Sequence, residues 1–121
     1  MAQVKGIDTH GYMVKDMKRA KAFYMDALGM KPSMELGDDF IEFDLGDGSN
    51  FGLWNPKAVG WEWERGHGIM FAVDDAVATV KELREKYGIE IEDAKEHAPC
   101  FMAMGTDTEG NQLIIHQRKN V

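Results

Sequence analysis

The sequence predicts an α+β fold: two βαβββ modules forming a curved eight-strand sheet around a central cavity, with both helices outside. Two observations predict it. Two amphipathic helical segments, 16–28 and 75–87, are each preceded by one strand-like run and followed by three. The halves therefore repeat one plan, as an internal duplication would. Neither half could bury its sheet alone, whereas eight strands and two helices can enclose a core. The 121 residues favour a single domain over 1–121. Module one runs from about 4 to 55, a connection occupies 56–66, and module two runs from about 67 to 118.

The elements follow in order. Residues 5–14, "KGIDTHGYMV", read as the first strand. In "DMKRAKAFYMDAL", Met17, Ala20, Phe23, Tyr24, Ala27 and Leu28 recur at helical spacing. Asp16 suits the N-cap, and Gly29 the position past the C-terminal end. "KPSMELG", "DFIEFDLG" and "NFGLWNP" are three short strands. In the second of these, Ile41, Phe43 and Leu45 share one face, with Glu42 and Asp44 on the other. "GDGS" at 46–49 is a hairpin turn signal.

Module two repeats the design. "HGIMFAV" at 67–73 is its first strand, and Val77, Val80, Leu83, Arg84 and Tyr87 mark the helix face. Asp74 or Asp75 can cap that helix, and Gly88 stops it. "IEIEDAK", "CFMAMGTD" and "NQLIIHQRK" complete the module, with "DTEGN" at 107–111 as a turn.

Composition excludes several classes. The net charge is −7 with no basic stripe, so nucleic acid is not an expected partner. No apolar run approaches the ~18 residues a membrane helix needs. "MAQVKGID" has no apolar core of signal-peptide length, so a cytoplasmic location is expected. The one cysteine, Cys100, cannot form an intrachain disulfide. The nine methionines are either core filler or the adaptable lining of a small-molecule pocket.

A few residues bear chemistry. His10 and His67 each precede a glycine at the start of a module. His116, with Glu42, could act as an acid–base pair, or it is a polar residue at a strand end. Cys100, Met102 and Met104 share one strand face, opposite Phe101 and Ala103, and one of those faces must line the cavity. Trp54, Trp61 and Trp63 surround the connection, where aromatic rings can sandwich a flat ligand, cover a sheet end or form a dimer contact. Glu96 and His97, before Pro99, fall in an expected loop. "GDGSNFG" lies between strands rather than before a helix, so it is not a phosphate loop.

The order of elements, with "VKDMKRAKAFYMDALGM" and "GTDTEGNQLIIHQ", resembles the vicinal oxygen chelate superfamily of glyoxalases, extradiol dioxygenases, fosfomycin-modifying enzymes and bleomycin-binding proteins. Val14, Asp16, Phe23, Tyr24, Leu28 and Gly29 match its first motif. Asp107, Gly110 and Asn111 match its closing D-P-D-G-N, with Thr108 and Glu109 replacing Pro and Asp. The resemblance implies that enzymes of this kind hold a divalent metal, such as Ni, Zn, Fe or Mn, through His or Gln on a module's first strand and Glu on its last. The corresponding positions here are Thr9, Gly68, Ile114 and a place near Gly52, none a good ligand. His10 and His67 each miss a slot by one residue, which turns a side chain to the other face unless a β-bulge at Gly11 or Gly68 restores it.

The leading expectation is therefore a homodimeric protein binding a small, partly apolar molecule in a metal-free cavity. The dimer comes from the resemblance alone. The expected ligand-binding residues are Thr9, Glu42, Trp54, Cys100, Met102 and His116. A second expectation is a metal-dependent lyase or dioxygenase using His10, His67 and His116 or Glu42. A third is a scaffold for protein association, with Trp61 and Trp63 in an interface.

Overall fold

The computed structural model describes residues 2–119. Along the chain run β1 (His10–Met13), α1 (Met17–Asp26), β2 (Lys31–Leu36), β3 (Phe40–Asp44), β4 (Asn50–Trp54), a 3-10 turn (Pro56–Val59), β5 (Met70–Ala72), α2 (Ala76–Tyr87), β6 (Lys95–Glu96), β7 (Cys100–Thr106) and β8 (Gln112–Arg118). This is βαβββ twice. The strands form two four-stranded sheets of like order, β1-β4-β3-β2 and β5-β8-β7-β6. In each, the first strand pairs parallel with the last strand of its module, and the other pairings are antiparallel. The chain divides into two compact units at Glu64/Arg65, inside the expected connection. No helix is long and apolar enough to cross a membrane among the described residues.

In the first unit, Asp16 caps α1 by accepting from the Arg19 amide at 3.1 Å. Gly29 ends it. Its φ of 67° lets the Gly29 amide reach Met25 and the Met30 amide reach Tyr24, satisfying carbonyls the helix leaves open. Met17, Ala20, Phe23 and Tyr24 form the buried stripe. They pack against Tyr12, Ile41, Phe43, Phe51 and Leu53, the alternate residues of β1, β3 and β4. Phe51 is the hub, with ring centroids 5.0 Å from Tyr24, 5.7 Å from Tyr12 and 6.4 Å from Phe43. Each such side chain contributes about 1.5–3 kcal/mol by leaving water.

In the second unit, Asp75 caps α2 through the Ala78 amide at 3.0 Å, and Gly88, at φ 64°, stops it. Ala76, Val80 and Leu83 are the buried helix residues, against Phe71, Ala103, Leu113 and Ile115.

Several boundaries differ from the sequence reading. β1 starts at His10, so 5–9 lie outside it, and β5 covers only Met70–Ala72. "IEIEDAK" forms an isolated bridge at Ile91 and part of the two-residue β6. Leu45 lies past the end of β3 and is exposed, and so is Val77, which turns away from the core. At Leu45 the apolar alternation continues one step beyond the β3–β4 pairing, which ends at Asp44.

Candidate functional site

Each sheet has one face covered by its helix, and the register defines what stands on the other. In the first unit one cross-strand row on that other face is Gly11, Gly52, Glu42 and Met34. The next is Met13, Trp54, Phe40 and Leu36. Two bare glycines thus stand beside a carboxylate, flanked by a row of apolar side chains. Thr9 joins them: its Oγ1 lies 3.5 Å from where a Cβ on Gly52 would stand, and the Phe40 ring lies 3.4 Å from the same point. No side-chain partner of the Glu42 carboxylate is present among the described residues. Trp61 packs edge-on against Trp54 at 5.3 Å, and the Trp63 Nε1–H donates to the Met13 carbonyl at 2.9 Å. The connection is thereby tied to the edge of this face, with Lys15 Nζ 4.1 Å from the Trp63 ring centroid.

In the second unit the corresponding rows are Met70, Ile114 and Met104, then Ala72, His116, Met102 and Lys95. Cys100 stands opposite Arg118, with the same parity as Met102. Ala103 is fully buried beside Ile115, so the 100/102/104 parity is the one away from the helix. His116 is half-buried, and its imidazole has no hydrogen-bond partner among the described residues.

The closing turn builds the start of β8. The Asp107 Oδ1 accepts from the amides of Glu109 and Asn111 at 2.8 and 2.9 Å. The Asn111 Oδ1 accepts from the Gly66 amide, and the Gly66 carbonyl accepts from the Gln112 amide, both at 2.8 Å. This turn is buried scaffold, and it fixes the register of every β8 side chain, His116 included.

The six expected ligand-binding residues thus fall into two sets. Thr9, Glu42 and Trp54 lie on one face of the first unit, and Cys100, Met102 and His116 on one face of the second. Sequence reasoning missed Met13, Met34, Leu36 and Phe40 on the first face and Met70 on the second. The period-2 alternation of β3, which sets Phe40 and Glu42 against Ile41 and Phe43, is the signal that finds Phe40. Met34 follows only from the pairing register, because β2 carries an irregularity between Pro32 and Met34. Five methionine positions, 13, 34, 70, 102 and 104, stand on these faces rather than in the core.

The positions that would hold a divalent metal are neighbours within each unit. Thr9 borders Gly52, and the Gly68 amide donates to the Gln112 Oε1 at 2.8 Å, two residues before Ile114 on β8. A hydroxyl, two hydrogen atoms and a sec-butyl group do not fit such an ion. The β1 register runs one-to-one from His10 to Met13, with no bulge at Gly11. His10 therefore takes the helix-side parity of Phe51, exposed at the rim. His67 precedes β5 by three residues and is exposed. Among the described residues, no group of three or more His, Cys, Asp or Glu is arranged to hold a metal.

Elsewhere, a groove of about 210 Å³ runs along α2, lined by residues that include Val77, Lys81, Arg84 and Asp93. Its guanidinium is committed to structure: Arg84 donates to the Ile91 carbonyl at 2.6 Å and to Asp93 at 2.9 Å. The His97–Cys100 turn closes the β6–β7 hairpin, with Glu96 inside β6 rather than in the loop.

Comparison with known proteins adds a family. The model for the Glyoxalase/Bleomycin resistance protein/Dioxygenase superfamily matches residues 6–115. Among curated protein sequences, none matches the chain. Among solved structures, lactoylglutathione lyase from Agrobacterium tumefaciens is 20% identical, with TM-score 0.77 over 96% of each chain. TnmS3, an antibiotic binding protein from a Streptomyces species, is 21% identical, with TM-score 0.78 over 98% of this chain and 100% of its own. The fosfomycin resistance protein FosX from Mesorhizobium loti is 16% identical, with TM-score 0.69 over 98% and 96%. At these identities the likeness is one of fold.

Proposed function

Since the chain belongs to the Glyoxalase/Bleomycin resistance protein/Dioxygenase superfamily, we propose that it binds a small, partly apolar molecule without a divalent metal. The observation that carries this reading is the chemistry of the first unit's face away from α1. Trp54, Phe40, Met13, Met34 and Leu36 supply apolar contact, and the unpaired Glu42 beside Gly52 supplies one acceptor. Glycine lets a ligand approach the backbone there, and Met adapts to irregular shapes. Thr9 adds a hydroxyl. On the second unit, Cys100, Met102 and His116 share the corresponding face, two sulfur side chains with one imidazole.

The metal-dependent lyase or dioxygenase is the alternative, and the residues at the four ligand positions speak against it. In the proposed reading the protein is cytoplasmic and homodimeric, as its family implies. Exposed Trp61 leaves the third reading, protein association, a surface to act through.

The test is a ligand screen read by intrinsic tryptophan fluorescence, using a panel of amphiphilic aromatic compounds. Saturable binding that weakens at least tenfold in Trp54→Ala is the expected result. A metal assay runs beside it. Stoichiometric Ni, Zn, Fe or Mn at high occupancy, lost in His67→Ala together with turnover, would overturn the proposal in favour of the enzyme. A blank screen with a tight oligomer by light scattering would favour association.

A further inference from the structure

The second unit's face away from α2, where Cys100 and Ile114 are buried, carries a feature that goes beyond small-molecule binding and does not depend on it. We propose that Cys100, Met102 and His116 form a binding site for a soft monovalent metal ion, Cu(I) or Ag(I). Met102 stands directly opposite His116 in the antiparallel β7–β8 pair, and Cys100 lies two residues earlier on β7 with the same parity. Directly opposed side chains have Cβ atoms about 4.5–5.5 Å apart, and diagonal neighbours about 7–8 Å. A thioether, a thiol and an imidazole therefore converge on one patch, and the imidazole has no competing hydrogen bond among the described residues. Met104 stands on the other diagonal, its sulfur accepting from the Gln112 side-chain amide at 3.8 Å.

The backbone does not demand these residues. In the first unit the equivalent opposed pair is Phe40 and Trp54, which answers the same geometry with plain apolar surface. The donor set then selects the ion. Thiolate and thioether sulfurs favour Cu(I) over oxygen-seeking or borderline divalent ions, and structural zinc sites use no thioether. Charge selects in the same direction. Lys95 stands opposite Met102 and Arg118 opposite Cys100, with Lys95 Nζ 3.4 Å from Glu92. A monovalent ion bound through one thiolate adds no net charge beside these cations, whereas a divalent ion adds one.

The experiment is an anaerobic titration of the whole protein with Cu(I) against the chelator bicinchoninate, repeated with Ag(I). One ion per chain is expected. Met102→Leu and His116→Gln should each weaken binding at least tenfold, while Met34→Leu, on the first unit, leaves it unchanged. Circular dichroism verifies folding, and the near-isosteric Met102→Leu decides alone if His116→Gln is unstable. The site is refuted if no ion binds, if both variants bind as tightly as wild type (a thiol acting alone), or if Zn(II) binds as tightly as Cu(I). Ligand binding that depends on Trp54 is measured separately, so either result can fail while the other stands.

Discussion

Gly11 lies so close over Gly52 that a Cβ at position 11 would sit 2.5 Å from the Gly52 carbonyl oxygen. The obstacle is backbone, which cannot rotate aside. Gly11→Ala should therefore destabilise the protein by about 1–3 kcal/mol, the usual penalty of overpacking. Urea unfolding measures it. A variant within about 0.5 kcal/mol of wild type would mean that β1 can retreat from β4.

Helix ends offer a second check. Asp75→Ala removes the acceptor of the Ala78 amide and should cost about 1 kcal/mol. Gly88→Ala forces an L-residue to φ 64° and should cost a similar amount, about 1 kcal/mol. Because the sites serve opposite ends of one helix and share no partner, the double variant should show the sum, by thermal or chemical unfolding.

Chelation gives a third. If no divalent ion is resident, exhaustive treatment with EDTA leaves the melting temperature unchanged. A fall on chelation, restored by one added metal, would indicate a bound ion, because a ligand of the native state stabilises by mass action.

Asp47 supplies a pH signature. Hydrogen bonds from the Ser49 hydroxyl and then the Ser49 amide hold its carboxyl below the ordinary aspartate value, although it is fully exposed. With the folded-state value depressed, the favourable contribution is present above the unfolded-state value and is lost as pH falls through the folded one. The window therefore lies below about pH 4. Carboxyl-detected NMR titration should find Asp47 below the ordinary aspartate value, and Ser49→Ala, which removes the hydroxyl but keeps the amide, should bring it part of the way back.

A fifth prediction concerns Glu42. Glu42→Gln keeps the shape and removes the charge. Binding of a ligand bearing an amine or other donor should weaken several-fold, while an apolar analogue binds unchanged. Equal loss for both, by isothermal calorimetry, would mean that the residue acts through packing.

Most of the fold was legible because its signals are local. Asp16, Gly29, Asp75 and Gly88 punctuate the helices as their chemistry requires, and β3, β4, β7 and β8 follow their hydrophobic runs. The short first strands were not legible, since β1 and β5 each pair with a distant strand and only that pairing sets their length. Parity was readable along each strand, which put Cys100, Met102 and Met104 on one face of β7 and kept His116 in step with Ile114 on β8. Adjacency across strands was not. That Met102 meets His116, or Glu42 meets Gly52, depends on a register no single strand encodes.

The repeat also has a consequence for how such a chain can change. Equivalent positions of the two modules have parted ways: Trp54 answers to His116, Phe40 to Met102 and Glu42 to Met104. One backbone plan thus displays a π-rich, anionic palette in its first copy and a sulfur-bearing one in its second. Mutation can retune either copy while the other keeps its chemistry, a freedom that two identical halves would lack.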